Sequence, residues 1–82
     1  MWQVEFTAEA RAQQSTLLPD AARALDATVE QLRSDPWQGQ AYRAGYPPEF
    51  RLLPFGGWGL VVYLIRERHS VIVLLEVTWA GT

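Results

Sequence analysis

The end of the chain limits its fold more than any other part. "LVVYLIR" and "VIVLLEVTW", two runs dense in β-branched and aromatic residues, are joined by the charged stretch "RERHS". Branched and aromatic side chains suit a pleated strand, and a polar connection of this length closes an antiparallel hairpin. Along the first run Leu60, Val62, Leu64 and Arg66 alternate with Val61, Tyr63, Ile65 and Glu67. Along the second, Val71, Val73, Leu75, Val77 and Trp79 alternate with Ile72, Leu74, Glu76 and Thr78. Neither face of this hairpin is polar throughout, so it belongs at the centre of a sheet.

The preceding segments supply the rest of that sheet and a layer to cover it. "WQVEFT" alternates Trp2, Val4 and Phe6 against Gln3, Glu5 and Thr7, which reads as a first strand with one buried face. "AEARAQQSTLL" favours helix by composition, with Thr7 and Glu9 placed to serve its start. Pro19 suits the first turn of a second helix, and Asp20 the positive end of its dipole. Ala21, Leu25, Val29 and Leu32 then form one apolar stripe until Asp35-Pro36 ends the helix. "DPWQGQAYRAGYPP" reads as a structured loop, and "EFRLLPF" as a short strand whose Pro54 points to an edge or a bulge. The expected fold is α+β, in the order β-α-α-β-β-β, a single domain over residues 1–82 with two helices across one face of an antiparallel sheet.

Composition excludes several chemistries. With no cysteine there are no disulfides, thiolate nucleophiles or cysteine-based zinc sites, and a single histidine leaves no metal centre to expect; no cofactor is implied. All seven basic residues are arginine and the net charge is −2, so any contact with nucleic acid has to rest on local clustering of arginines. No apolar run approaches the roughly 18 residues of a membrane span, and "MWQVEFTAEA" has neither a basic leader nor a signal-type apolar stretch. The expectation is a cytoplasmic protein without a membrane partner.

The element order, together with "VEFTAEA", the "LP" between the helices, "LRSDP" and "FRLL…GLVVYLIRERHSVIVLLEV", resembles the RelE/ParE superfamily of type II toxins over nearly the whole chain. Within that resemblance Phe50-Arg51 matches an aromatic-Arg pair on the second strand, and Tyr63 the closing tyrosine of a Tyr-Arg-x-x-Tyr pattern on the third. The arginine expected three residues before Tyr63 is Leu60. A basic position two after Arg51 is Leu53, and Trp79-Ala80 stands where a basic or histidine-containing pair is expected.

The resemblance implies an antitoxin partner. It also implies either cleavage of ribosome-bound mRNA or, in the ParE branch, poisoning of DNA gyrase. For RNA cleavage the candidates are Arg51, Tyr63 and His69 as catalytic groups, with Arg43, Arg66 and Arg68 on phosphate; imidazole is the side chain suited to proton transfer near neutral pH. For a protein-binding module the candidates are Leu53, Leu60, Trp58 and Trp79, apolar residues where a basic pocket is expected. Each has a plainer alternative. Arg51 can pair with Glu76 or Glu49, "RERH" can be a solvated hairpin tip, and Trp37, Tyr42 and Tyr46 can pin their loop to the core rather than stack on bases. Homodimerisation through an unpaired edge of the final strand is a further expectation.

Overall fold

The computed structural model describes residues 2–80. Five strands, β1 (Gln3–Phe6), β2 (Gln40–Ala41), β3 (Phe50–Phe55), β4 (Gly59–Arg66) and β5 (Val71–Trp79), form one sheet in the order β1-β5-β4-β3-β2. The helices α1 (Ala8–Ser15) and α2 (Pro19–Ser34) follow β1. β2 to β5 are antiparallel, as expected. β1 joins β5 in parallel, with Gln3 opposite Val71 and Phe6 opposite Leu74, so the sheet is mixed. Both helices and the strands β2 to β4 lie between β1 and β5 in the chain, and such long connections allow parallel pairing where a tight hairpin does not. β2 is a two-residue strand inside the stretch expected to be loop.

Local chemistry sets the helix ends. Thr7 is extended and its hydroxyl accepts from the Ala10 N–H at 3.1 Å, capping α1. Leu18, held extended by the following proline, stops the chain continuing into α2, and Pro19 opens that helix without a wasted donor. Asp35 ends it and accepts from the Trp37 N–H, which starts a 3-10 turn over Pro36–Gln38.

The core lies between the helices and one sheet face. Ala10, Leu25 and Leu32 pack with Phe55, Val61, Tyr63, Ile65, Ile72, Leu74 and Val77. On β4 the expected alternation holds. On β5 it does not, because Val62 pairs with Glu76 while Tyr63 pairs with Leu74, leaving Leu75 as a bulge. The extra residue reverses the phase of everything after it. Val77 and Trp79 therefore face the helices with Ile72 and Leu74, and Glu76 and Thr78 lie on the opposite face with Val71 and Val73.

The bulge is anchored by α1, since the Thr7 hydroxyl donates to the Leu75 carbonyl at 3.3 Å and Gln13 Oε1 accepts from the Val77 N–H at 2.7 Å. This corrects the expectation of a free edge on the last strand. β5 is flanked by β1 and β4, and beyond β1 its backbone is bonded by α1 side chains. The sheet edges are β1 and β2.

Candidate functional site

The sheet face away from the helices is not used by the core. It carries Phe50, Leu52 and Pro54 from β3, Leu60, Val62 and Leu64 from β4, and Val71 and Val73 from β5, placed together by register. Val62 and Val71 are buried by their neighbours, while Phe50, Leu52, Leu60, Leu64 and Val73 are half-buried. Exposed Glu5 and Glu76 border this strip along β1 and β5, and Arg66 stands at its end. Lone exposed apolar residues are ordinary, but a continuous strip across three adjacent strands is what a partner surface looks like.

Arg51 and Tyr63 sit on the opposite face, as cross-strand neighbours under the loop that follows α2. Tyr63 is fully buried. Its hydroxyl donates to the Pro36 carbonyl at 2.7 Å and accepts from the Gly39 N–H at 3.2 Å. Arg51 donates from Nε and Nη2 to the Gly39 carbonyl, at 3.0 and 2.6 Å, and from Nη1 to the Pro48 carbonyl at 3.0 Å. Gly39 is required there, because a Cβ would overlap the Tyr63 hydroxyl and the Leu52 carbonyl.

Together these two side chains staple residues 36–48 onto the sheet. The phenol donates its proton to the Pro36 carbonyl, and the guanidinium donates to backbone carbonyls, with no ion pair to Glu76 or Glu49 among the described residues. His69, the third candidate catalytic group, lies in the turn between β4 and β5 (Glu67–His69 is a 3-10 turn) and is exposed. The trio does not converge.

Burial raises the Tyr63 pKa above the ordinary phenol value, against the lowering effects of the Gly39 N–H and Arg51. The sign follows directly. Below pH about 10 the phenol is neutral in folded and unfolded chains alike. Above it the unfolded chain loses the proton first and gains relative stability. Folding stability is therefore expected to fall as pH rises from about 10 through the folded pKa, and Tyr63→Phe to remove that component, as read by denaturant titrations at pH 8 to 11.5.

The basic candidates share one end of the sheet. Phe50 faces Leu64, the Ile65 N–H donates to the Glu49 carbonyl, and the Tyr42 N–H to that of Phe50. This sets the loop bearing Arg43 beside the turn bearing Arg66, Arg68 and His69. All four are exposed, and the three arginines make no ion pair with another described residue. Arg43 lies over Tyr42 at 4.8 Å, and Tyr42, Tyr46 and Phe50 form an edge-to-face series at 4.9 and 5.4 Å. The loop aromatics thus pack on one another and on β3, with Tyr46 still half exposed; Trp37 lies 5.3 Å from the Arg51 guanidinium.

The apolar candidates divide. Leu60 is on the open face, whereas Leu53 and Trp79 pack against the core from the helix side, Trp79 at 5.5 Å from the Phe55 ring. Trp58 projects from the β3–β4 turn and is 67% exposed. Phe50, Leu52, Leu64 and Val73, which the sequence reading did not assign to any site, belong to the face instead. The signal that could have found them was the alternation on β3, β4 and the first residues of β5. Among the described residues no group of His, Cys, Asp and Glu is placed to hold a metal ion, and no helix is long and apolar enough to cross a membrane.

No protein-family model and no curated protein matches the chain. Solved structures do. The chain is similar to one in the intact Escherichia coli RelBE toxin-antitoxin complex, with a TM-score of 0.84, 14% identity and all of both chains covered. It is similar to one in the Mycobacterium tuberculosis RelBE2 toxin-antitoxin complex, with a TM-score of 0.78 and 27% identity over 99% of this chain and 93% of that one. The chromosomal ParDE system of Pseudomonas aeruginosa gives a TM-score of 0.69 and 17% identity over 99% and 98%. The fold is that of the RelE and ParE toxins, as the motif resemblance implies.

Proposed function

We propose that this chain is the toxin component of a two-protein toxin–antitoxin pair, and that the open sheet face is where an antitoxin docks. The observation that carries the reading is the strip of Phe50, Leu52, Leu60, Leu64 and Val73, half-buried and facing away from the core. Covering these side chains with an apolar helix face or an extended segment removes them from water at roughly 25 cal/mol per Å². The likeness to chains solved within RelBE complexes supports a partner of this class.

Messenger RNA cleavage is the weaker reading. Scission of a phosphodiester needs donors free to meet charge developing on phosphate and a group free to move a proton. Arg51 and Tyr63 are both engaged with backbone. What favours contact with RNA is the placement of Arg43, Arg66, Arg68 and His69 at one sheet end beside Tyr46. Incubation with translating ribosomes, followed by mapping of message ends, is expected to leave the message intact at saturating protein; new ends abolished by Arg66→Ala and Arg68→Ala together would overturn that expectation. In a gyrase supercoiling assay, inhibition would move the target to gyrase without moving the docking face.

A further inference from the structure

The two edges of the sheet are built differently. On the β2 side, the Tyr42 N–H donates to the Phe50 carbonyl, so the alternation of an antiparallel ladder turns Phe50, Leu52 and Pro54 toward that edge. Beyond β2 the position that would offer a donor is Pro54, which has none. Proline at such a place blunts an edge against strand addition. β1 has no proline, no lysine and no bulge. Gln3 and Thr7 donate to the Ser70 and Leu74 carbonyls of the β5 side, which turns the N–H and C=O of Val4 and Phe6 outward.

We propose that β1 is the seam of a homodimer in which two copies pair antiparallel about a two-fold axis and the sheets become continuous. The register follows from charge. Centring the axis on Glu5 sets two carboxylates directly opposite, which is unfavourable. Centring it on Val4 sets Val4 against Val4 and Gln3 against Glu5, and brings the half-buried Trp2 against Phe6, an aromatic pair across the seam. In that register Val4 of each copy exchanges backbone hydrogen bonds with the other, and the Phe6 N–H donates to the Trp2 carbonyl of the other copy.

Above the seam the helices present a self-complementary charge set. A groove of about 340 Å³ on the helix side of β1 is lined by Val4 and Phe6 with Arg11, Asp26, Glu30 and Arg33. Two cations and two anions on one patch can each meet an opposite charge when the patch faces itself across a two-fold axis. Arg33 Nε is enclosed and has no hydrogen-bond acceptor among the described residues; the Glu30 carboxylate at 3.4 Å is too misaligned to serve. The Arg33 side chain is 36% exposed, so the rest of its guanidinium can meet a carboxylate of the second copy across the axis. The open sheet face stays uncovered in this dimer, so the inference stands apart from the proposed antitoxin surface.

Sedimentation equilibrium on the purified protein tests this. The wild type is expected to sediment with twice the chain mass at micromolar concentration. Val4→Pro, which removes an outward N–H and trims a side chain packed against the core, is expected to be monomeric with an unchanged circular-dichroism spectrum. At the exposed position Gln3, Gln3→Glu sets like charges opposite and is expected to raise the dimer Kd about 2- to 30-fold, while Gln3→Lys lowers it by a similar factor. A wild type that stays monomeric overturns the proposal, as does a Val4→Pro protein that remains dimeric. Gln3 variants with equal Kd overturn the register.

Discussion

Tyr63→Phe is expected to destabilise the protein by about 2–6 kcal/mol, although it deletes a single oxygen. The hydroxyl is the only partner that the sheet offers to the Pro36 carbonyl and the Gly39 N–H, both of them buried. Removing it leaves two backbone groups without hydrogen bonds in a dry site, and each unsatisfied group costs about 1–3 kcal/mol. A comparable loss is expected for Gly39→Ala, which keeps the oxygen but drives a methyl into it. Chemical denaturation of the two variants checks both values. A Tyr63→Phe protein within about 0.5 kcal/mol of wild type would mean that water replaces the hydroxyl and that the loop is held elsewhere.

The second large effect concerns binding. Leu64→Glu places a carboxylate in the middle of the open face, between Phe50 on β3 and Val73 on β5. Leu64 is half-buried, so the isolated chain keeps its fold at modest cost. In a complex that covers the face, the charge is desolvated without a partner, and the loss is expected to be at least about 2 kcal/mol, roughly 30-fold in Kd. Ala27→Glu, at an exposed site on α2, adds the same charge on the other side of the molecule and is expected to leave binding unchanged. Titration calorimetry with the co-purified partner separates the two variants. Equal losses from both would point to net charge rather than to a docking face.

These two expectations rest on features that differ in how far they could be read from the chain. The hairpin and the stripe on α2 follow from local periodicity, and the structure has them. The parallel place of β1 is a property of a long connection, which periodicity does not carry. The bulge at Leu75 inserts one residue into a run that is apolar on both sides, so no break in pattern marks it, and the faces assigned to Val77 and Trp79 came out reversed. Leu53 and Trp79 stand where the resemblance expects basic residues on an open surface, yet a strand position faces whichever side its register dictates.

The packing of Arg51 and Tyr63 is hidden from the sequence for a related reason. Both residue types serve catalysis, and both also serve as long-reaching hydrogen-bond donors to loop carbonyls. Only the course of residues 36–48 over the sheet decides between those uses. Gly39, a glycine between two polar residues in an aromatic-rich loop, was the one local hint of a close approach. The open face, by contrast, was legible as a puzzle from the start, in a hairpin apolar on both sides with only one layer of helix to cover it.

The docking claim is tested most directly by thiol accessibility, for which a chain without cysteine is well suited. Leu64→Cys and Ala27→Cys proteins would be prepared alone and co-expressed with the product of the adjoining reading frame, and their rates of maleimide labelling compared. The account predicts that the complex slows labelling at position 64 by tenfold or more, on the order of an interface residue withdrawn from solvent, and leaves position 27 unchanged. Labelling at position 64 that is as fast in the complex as in the free chain would contradict it.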